Sequence, residues 1–209
     1  MSRNRESNLK RVVGKRQPRK TLMIFCEVTK TEPEYFKALK RQPWVRDVAS
    51  VDLLVDTSRG MESVPTSLVP LAIKVRSQDR DEGNEIDEFW CVFDVEWPVN
   101  HPGLMEACIK AKNNGIKLAI SNPCFELWLA IHFQDQTAWL DNDHACRLIR
   151  VLDKSYSKKI DGTKYMPNIH DAAKRAEDLD KLHKGNSTVF PSDNPSSGMY
   201  NLIRTISEK

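Results

Sequence analysis

The stretch that most constrains this chain is Thr21 to Phe36, TLMIFCEVTKTEPEYF. Leu22, Met23, Ile24, Phe25 and Cys26 form an unbroken apolar run of strand length that stops at Glu27. A run with no polar alternation suits a parallel strand covered by helices on both faces. The polar Thr29, Lys30, Thr31 and Glu32 follow at once, and Pro33 is fitted to the first position of a helix that Glu34 to Lys40 can continue. Thr31 or Glu32 is the expected cap, Thr31 the better candidate because Glu34 can reach back to it as a capping box. A buried strand therefore delivers the carboxylate of Glu27 to its own carboxyl end, where open parallel sheets place their ligand sites.

The same alternation repeats along the chain. Ser50 to Val55 reads as a second strand, followed by a turn over residues 56–60 and a helix with Leu68, Leu71, Ile73 and Val75 on its apolar side. A charged loop spans residues 78–87. The most apolar strand, Phe89 to Phe93, then runs into Asp94, Val95 and Glu96 before Trp97-Pro98 ends it. Residues 103–113 form the next helix, stopped by Asn114-Gly115, and Ile116 to Ile120 is the fourth strand. This order predicts an α/β domain with a parallel sheet sandwiched by helices.

At Ser121-Asn122-Pro123 the chain passes into CFELWLAIHF, a helix apolar nearly all round and so expected to be buried, with Asn122 as cap and Pro123 as first residue. From Gln134 onward the signals are helical only, at about residues 143–152, 168–183 and 197–206. The expected organisation is a basic tail over 1–20, an α/β core over 21–133 and a helical extension over 134–209 packed on the core.

Charge divides unevenly. Residues 1–20 hold eight Lys or Arg against one Glu, a surplus of +7, so residues 21–209 carry −4 of the net +3. Such a tail is expected to be disordered in isolation. It either solubilises the chain or contacts nucleic-acid phosphates non-specifically through counterion release. None of the five cysteines belongs to a CxxC pair, so they read as reduced, packed thiols rather than zinc ligands. No secretory apolar core opens the chain, and no run approaches the ~18 residues of a membrane span. A soluble, cytoplasmic protein with no membrane partner is the expectation. There is no GxSxG elbow, no phosphate-cradling Gly loop and no GxGxxG, which argues against Ser-His-Asp hydrolysis and P-loop chemistry.

The carboxylates carry the chemistry. On an extended segment Asp94 and Glu96 point to the same side, with Cα atoms roughly 6.5–7 Å apart. In a doubly wound sheet the first and third strands can end side by side, bringing Glu27 to the same crevice. Carboxylates at ~4 Å repel by about 1 kcal/mol in water and about 4 at an effective dielectric of 20, so a proton or a divalent cation must intervene. Oxygen-only ligands favour Mg²⁺ or Mn²⁺ over zinc. The alternative is that these acids merely end strands and cap helices. Glu126, in the first turn of the buried helix, is either an acid satisfying the helix dipole or a fourth acid of the site. His132, on the same helix, reads as a hydrogen-bonded core histidine. Lys30, just past the first acid, either holds a phosphate oxygen together with helix-start amides or is simply solvated. The loop KSYSKKIDGTK sets Lys154, Lys158, Lys159 and Lys164 among Tyr156 and Tyr165, which suits either a nucleic-acid strand or plain solvent.

Taken in order, CEVTKTEPEYFKAL, WCVFDVE, SNPCFELWLAIHF and NPSSGMYNLI resemble the RloB family of bacterial anti-phage defence proteins, from about Leu22 to Ile203. RloB proteins are similar to the Toprim fold of topoisomerases, primases and the nucleases of overcoming-lysogenization-defect systems. The resemblance implies a Toprim-like α/β domain in which Glu27, Asp94 and Glu96 hold Mg²⁺ (or Mn²⁺) for phosphoryl-transfer chemistry. It further implies a nuclease effector of abortive infection, acting on RNA or DNA beside an AAA- or ABC-type ATPase partner. Two departures stand out. The family's Gly after the first Glu is Val28, whose branched side chain disfavours positive φ. The second Asp of the family's pair is Glu96, one methylene longer. They keep a second reading open, a domain without catalysis that binds nucleic acid or the ATPase partner, and nucleotidyl transfer at the same acids is a third.

Overall fold

The apolar run at the start of the chain forms the second strand in from one edge of a sheet, with cores on both of its faces. The computed structural model describes residues 20–26, 31–55, 65–83, 86–97, 103–157 and 160–207. Strands β1 (Lys20–Cys26), β2 (Ala49–Val55), β3 (Glu88–Asp94) and β4 (Lys117–Asn122) are mutually parallel, and the two-residue β5 (Ser196–Ser197) runs antiparallel to β4. The sheet order is β2-β1-β3-β4-β5. Eight helices surround it among the described residues. They are α1 (Thr31–Lys40), α2 (Pro43–Val48), α3 (Pro65–Asp81), α4 (Leu104–Asn113), α5 (Phe125–Ala130), α6 (Asn142–Leu152), α7 (Ile169–Gly185) and α8 (Met199–Ser207). The fold is α/β, a mostly parallel sheet between helices with a C-terminal helical part, consistent with the Toprim-like architecture the sequence implies.

Alternation along the strands explains the two cores. Leu22, Ile24 and Cys26 of β1 join Trp90, Val92 and Ala119 on one face, under Phe36 and Leu39 of α1, Trp128 of α5 and Leu202 of α8. Phe25, Phe89, Cys91 and Phe93 face the other way, under Leu68, Val69 and Ala72 of α3 and Leu104, Ala107 and Ala111 of α4. Each large side chain so buried contributes about 1.5–3 kcal/mol. At the amino edge Glu88 Oε1 lies 2.9 Å from both Lys20 Nζ and Lys117 Nζ, tying β1, β3 and β4 together.

Several local expectations change. Helix α1 begins at Thr31, so its cap position falls on Lys30, outside the described residues, and Glu34 pairs with Lys37 at 2.8 Å. Helix α3 runs on to Asp81 through the expected loop, and its buried face is Leu68, Val69 and Ala72, with Leu71, Ile73 and Val75 only partly covered. The expected turn over 56–60 lies outside the described residues. Asn122 does not cap α5. It stays paired with Ser196 in the sheet, and its side-chain amide donates to Pro191 O at 2.9 Å and Asp193 Oδ1 at 3.1 Å, leaving Cys124 at the cap position. Helix α2 and strand β5 have no counterpart in the sequence reading. Strand β5 depends on Gly198, where a Cβ would lie 3.1 Å from Ile120 N while the Gly198 N–H donates to Ile120 O at 2.7 Å.

His132 is a core residue, as its setting predicts. Its Nδ1–H donates to Trp128 O at 2.8 Å, so Nε2 is the acceptor for the Tyr35 hydroxyl at 3.1 Å. Burial pushes the imidazole pKa down to about 3, keeping it neutral. Tyr35→Phe leaves Nε2 buried without a donor and is expected to lower unfolding stability by about 1–3 kcal/mol, measured by urea denaturation at neutral pH. An unchanged midpoint and slope would show the bond to be dispensable.

Candidate functional site at the carboxyl edge of the sheet

Strands β1 and β3 are direct neighbours, with Cys26 in register with Val92, two residues before Asp94. Chain order places Glu27 immediately after Cys26, but Glu27, Val28, Lys30, Lys158 and Lys159 lie outside the described residues. Asp94 is the last residue of β3, half-buried and paired in register with Ser121. Beyond it the Val95 N–H donates to Ser121 O and the Glu96 N–H to Pro123 O, each at 2.9 Å, so β3 stays stitched to the chain leaving β4. Glu96 takes φ +56°, in the left-handed region. The extended geometry expected to put Asp94 and Glu96 on one side therefore ends at Asp94, and Glu96 sits on a bend. That conformation costs a non-glycine residue on the order of 1 kcal/mol or more.

Helix α5 opens at the same edge. Glu126, its second residue, is half-buried and accepts a 2.5 Å hydrogen bond from the Tyr156 hydroxyl. Neighbouring Cys124 is buried and donates its thiol proton to Cys146 of α6. That hydrogen bond, then burial and the charges of Glu126 and Asp94, push its pKa up. Cys146 moves down, chiefly because it accepts that bond. Asp94 and Glu126 are thus both within electrostatic reach of one thiol.

The structure adds an acid that the sequence reading left as a helix-start residue. Glu32, in the first turn of α1, is only 4% exposed, and its Oε2 has no hydrogen-bond partner among the described residues. Burial, helped by the charge of Glu126 and opposed by a backbone hydrogen bond, pushes its carboxyl up to about 8. The signal for it was present. Tyr35, Phe36 and Leu39 form the buried stripe of α1, and extending that stripe back one turn lands on Glu32.

The loop between α6 and α7 is committed internally. Lys164 is held by Asp153 at 3.4 Å and by Ser155 Oγ. Tyr165 is fully buried and donates to Asp153 Oδ2 at 3.0 Å, while Tyr156 serves Glu126. Neither tyrosine is presented as an open stacking surface.

Among the described residues, no three His, Cys, Asp or Glu side chains converge to hold a metal ion. The donor chemistry at the edge, carboxylates including an unpartnered buried oxygen on Glu32, is nonetheless that of a hard cation's ligands rather than of zinc. No helix among the described residues is long and apolar enough to cross a membrane.

Fold and edge together define an α/β protein whose strand order reverses between β1 and β3, with Asp94 at the carboxyl end of β3. A family model described as RloB-like protein matches residues 22–206, most of the chain, and the protein belongs to that family. No curated protein and no solved structure matches it.

Glu32 supplies a test of the electrostatics at the start of α1. Folded protein keeps the Glu32 proton up to about pH 8, whereas the unfolded chain releases it near 4.5, so wild-type stability falls as pH rises between those values. Glu32→Gln keeps the shape and cannot ionise. In metal-free buffer, the melting temperature of the variant relative to wild type should climb from pH 4.5 to 8 and then level off. A difference independent of pH would mean that Glu32 ionises normally.

Proposed function

We propose that the protein is a metal-dependent nuclease that cleaves phosphodiester bonds in RNA or DNA, serving as the effector of anti-phage abortive infection beside an ATPase partner. The observation that carries this reading is the parallel pairing of β1 with β3. It ends β1 and β3 side by side, with Cys26 opposite Val92, which supports a site drawing on the residue after Cys26 together with Asp94. In this reading Glu27, Asp94 and Glu96 hold Mg²⁺ or Mn²⁺. When bound, such an ion supplies an activated water and charge stabilisation at the leaving oxygen. Glu32, protonated at neutral pH, removes one negative charge from the crevice, and Tyr156 fixes the orientation of Glu126. The basic tail before β1 and Lys30, Lys158 and Lys159 draw in the phosphate backbone, while Lys20 pairs with Glu88 and Lys164 acts mainly to hold Asp153.

The left-handed bend at Glu96, together with Val28, favours a second reading, a module that binds nucleic acid or the ATPase without cutting. The two separate cleanly. Wild type should cleave nucleic acid with Mg²⁺ or Mn²⁺, and Glu27→Gln and Asp94→Asn should each lower the rate by on the order of 100-fold. Equal rates in all three proteins would end the nuclease reading. Salt-dependent binding of nucleic acid with no Mn²⁺ uptake by calorimetry would establish the module.

A further inference from the structure

Trp139 is the one exposed aromatic side chain among the described residues, 53% accessible in the segment between α5 and α6. It packs edge-on against Trp97, with ring centroids 6.1 Å apart and planes at 88°. Trp97 directly follows Glu96, so the pair stands beside the carboxyl edge of β3.

The backbone on both sides of the pair is pinned. The Trp97 N–H donates to Asn142 Oδ1 at 3.0 Å, and the Asn142 N–H returns a bond to Trp97 O at 3.1 Å. Asn194 clamps the residue after Trp139 from the far end of the chain. Its Oδ1 accepts from the Leu140 N–H at 3.0 Å, and its Nδ2 donates to Leu140 O at 2.7 Å. An indole left in water is ordinarily mobile, yet here it is braced by a second indole and a fixed main chain. The ring gives up little further freedom when a flat partner settles on it.

Its surroundings indicate which partner. In its own segment Gln134, Asp135, Thr137 and Ala138 are exposed, and the other exposed large apolar residues lie on different elements, such as Met105 and Ile109 of α4. A protein-binding hot spot would be ringed by further apolar surface. A single indole matches one base. Arg147 and Arg150 are exposed on α6, the helix whose first residue, Asn142, is bonded to Trp97, the charge of Arg150 reaching Cys146 and that of Arg147 reaching Asp141.

We propose that Trp97 and Trp139 form a stacking platform for an unpaired base of a nucleic-acid strand, with Trp139 the contact residue and Trp97 its brace. The inference rests on nucleic acid being the ligand of the carboxyl edge and not on cleavage. The test uses the full chain in EDTA, with fluorescein-labelled strands of about 12 nucleotides: oligothymidylate, oligouridylate and an abasic strand of equal charge. Trp139→Ala should weaken binding of at least one base-bearing strand roughly 5- to 150-fold while changing abasic binding less than about twofold, and Trp139→Phe should stay within about threefold of wild type. Unchanged affinity in Trp139→Ala, as expected if the indole serves a protein partner, overturns the proposal. So does equal loss on the base-bearing and abasic strands, or failure of wild type to bind either base-bearing strand. Asp94→Asn separates the two readings. If it still cleaves, the nuclease site is wrong while a base-dependent effect of Trp139 keeps the platform.

Discussion

Strand β1 is hydrogen-bonded to β2 on one side and to β3 on the other, and every other feature of the carboxyl edge depends on that placement. The chain leaves β1 toward β2 and leaves β3 toward β4, so the two connections run to opposite sides of the point between them. Right-handed crossovers then put α1 on one face and α3 and α4 on the other, matching the two separate cores. Whatever residues end β1 and β3 are exposed to one another by topology, over a floor of fully buried apolar side chains that holds them rigidly.

Polar chemistry at that edge is arranged against its natural cost. A buried carboxylate with a missing partner would ordinarily be replaced by an apolar residue, and position 32 continues a stripe of Tyr35, Phe36 and Leu39 that a leucine would extend. Keeping Glu32 there requires that it hold its proton. That condition links it to Glu126 and, through Cys124, to the setting of Asp94. The amino edge makes a contrast, because Glu88 is directly neutralised there by Lys20 and Lys117. One edge of the sheet is closed by ion pairs, and the other keeps an acid that a change of protonation or a cation would alter.

What could be read in the sequence follows from where the deciding forces lie. Strands buried on both faces announce themselves as apolar runs, so β1 and β3 were legible to within a residue or two, and the amphipathic α6, α7 and α8 were nearly so. Features fixed by distant partners were not. Asn122 looks like a helix cap until Ser196, Pro191 and Asp193 claim it, more than sixty-five residues away along the chain. Tyr165 looks like a ligand-facing aromatic until Asp153 and the core take it. Glu96 looks extended until its N–H is drawn to Pro123. That β1 and β3 end side by side was legible from strand order, whereas Glu27 lies one residue past the described end of β1.

The C-terminal helical part builds the edge as much as it covers the sheet. Strand β5 lies along β4 one residue before the chain turns toward α5, and Tyr156 reaches back to Glu126. Cys146 meets Cys124, and Asn194 and Asn142 fix the two ends of the indole pair. Leu202, Ile203 and Ile206 also fill the same core face as Leu22 and Ile24. A strand edge made of parallel β ends alone would be a row of loops, each free to move with its own helix. Here contacts from residues beyond 134 cross-link the segments that leave β3 and β4, fixing the side chain of Glu126 and the main chain after Glu96.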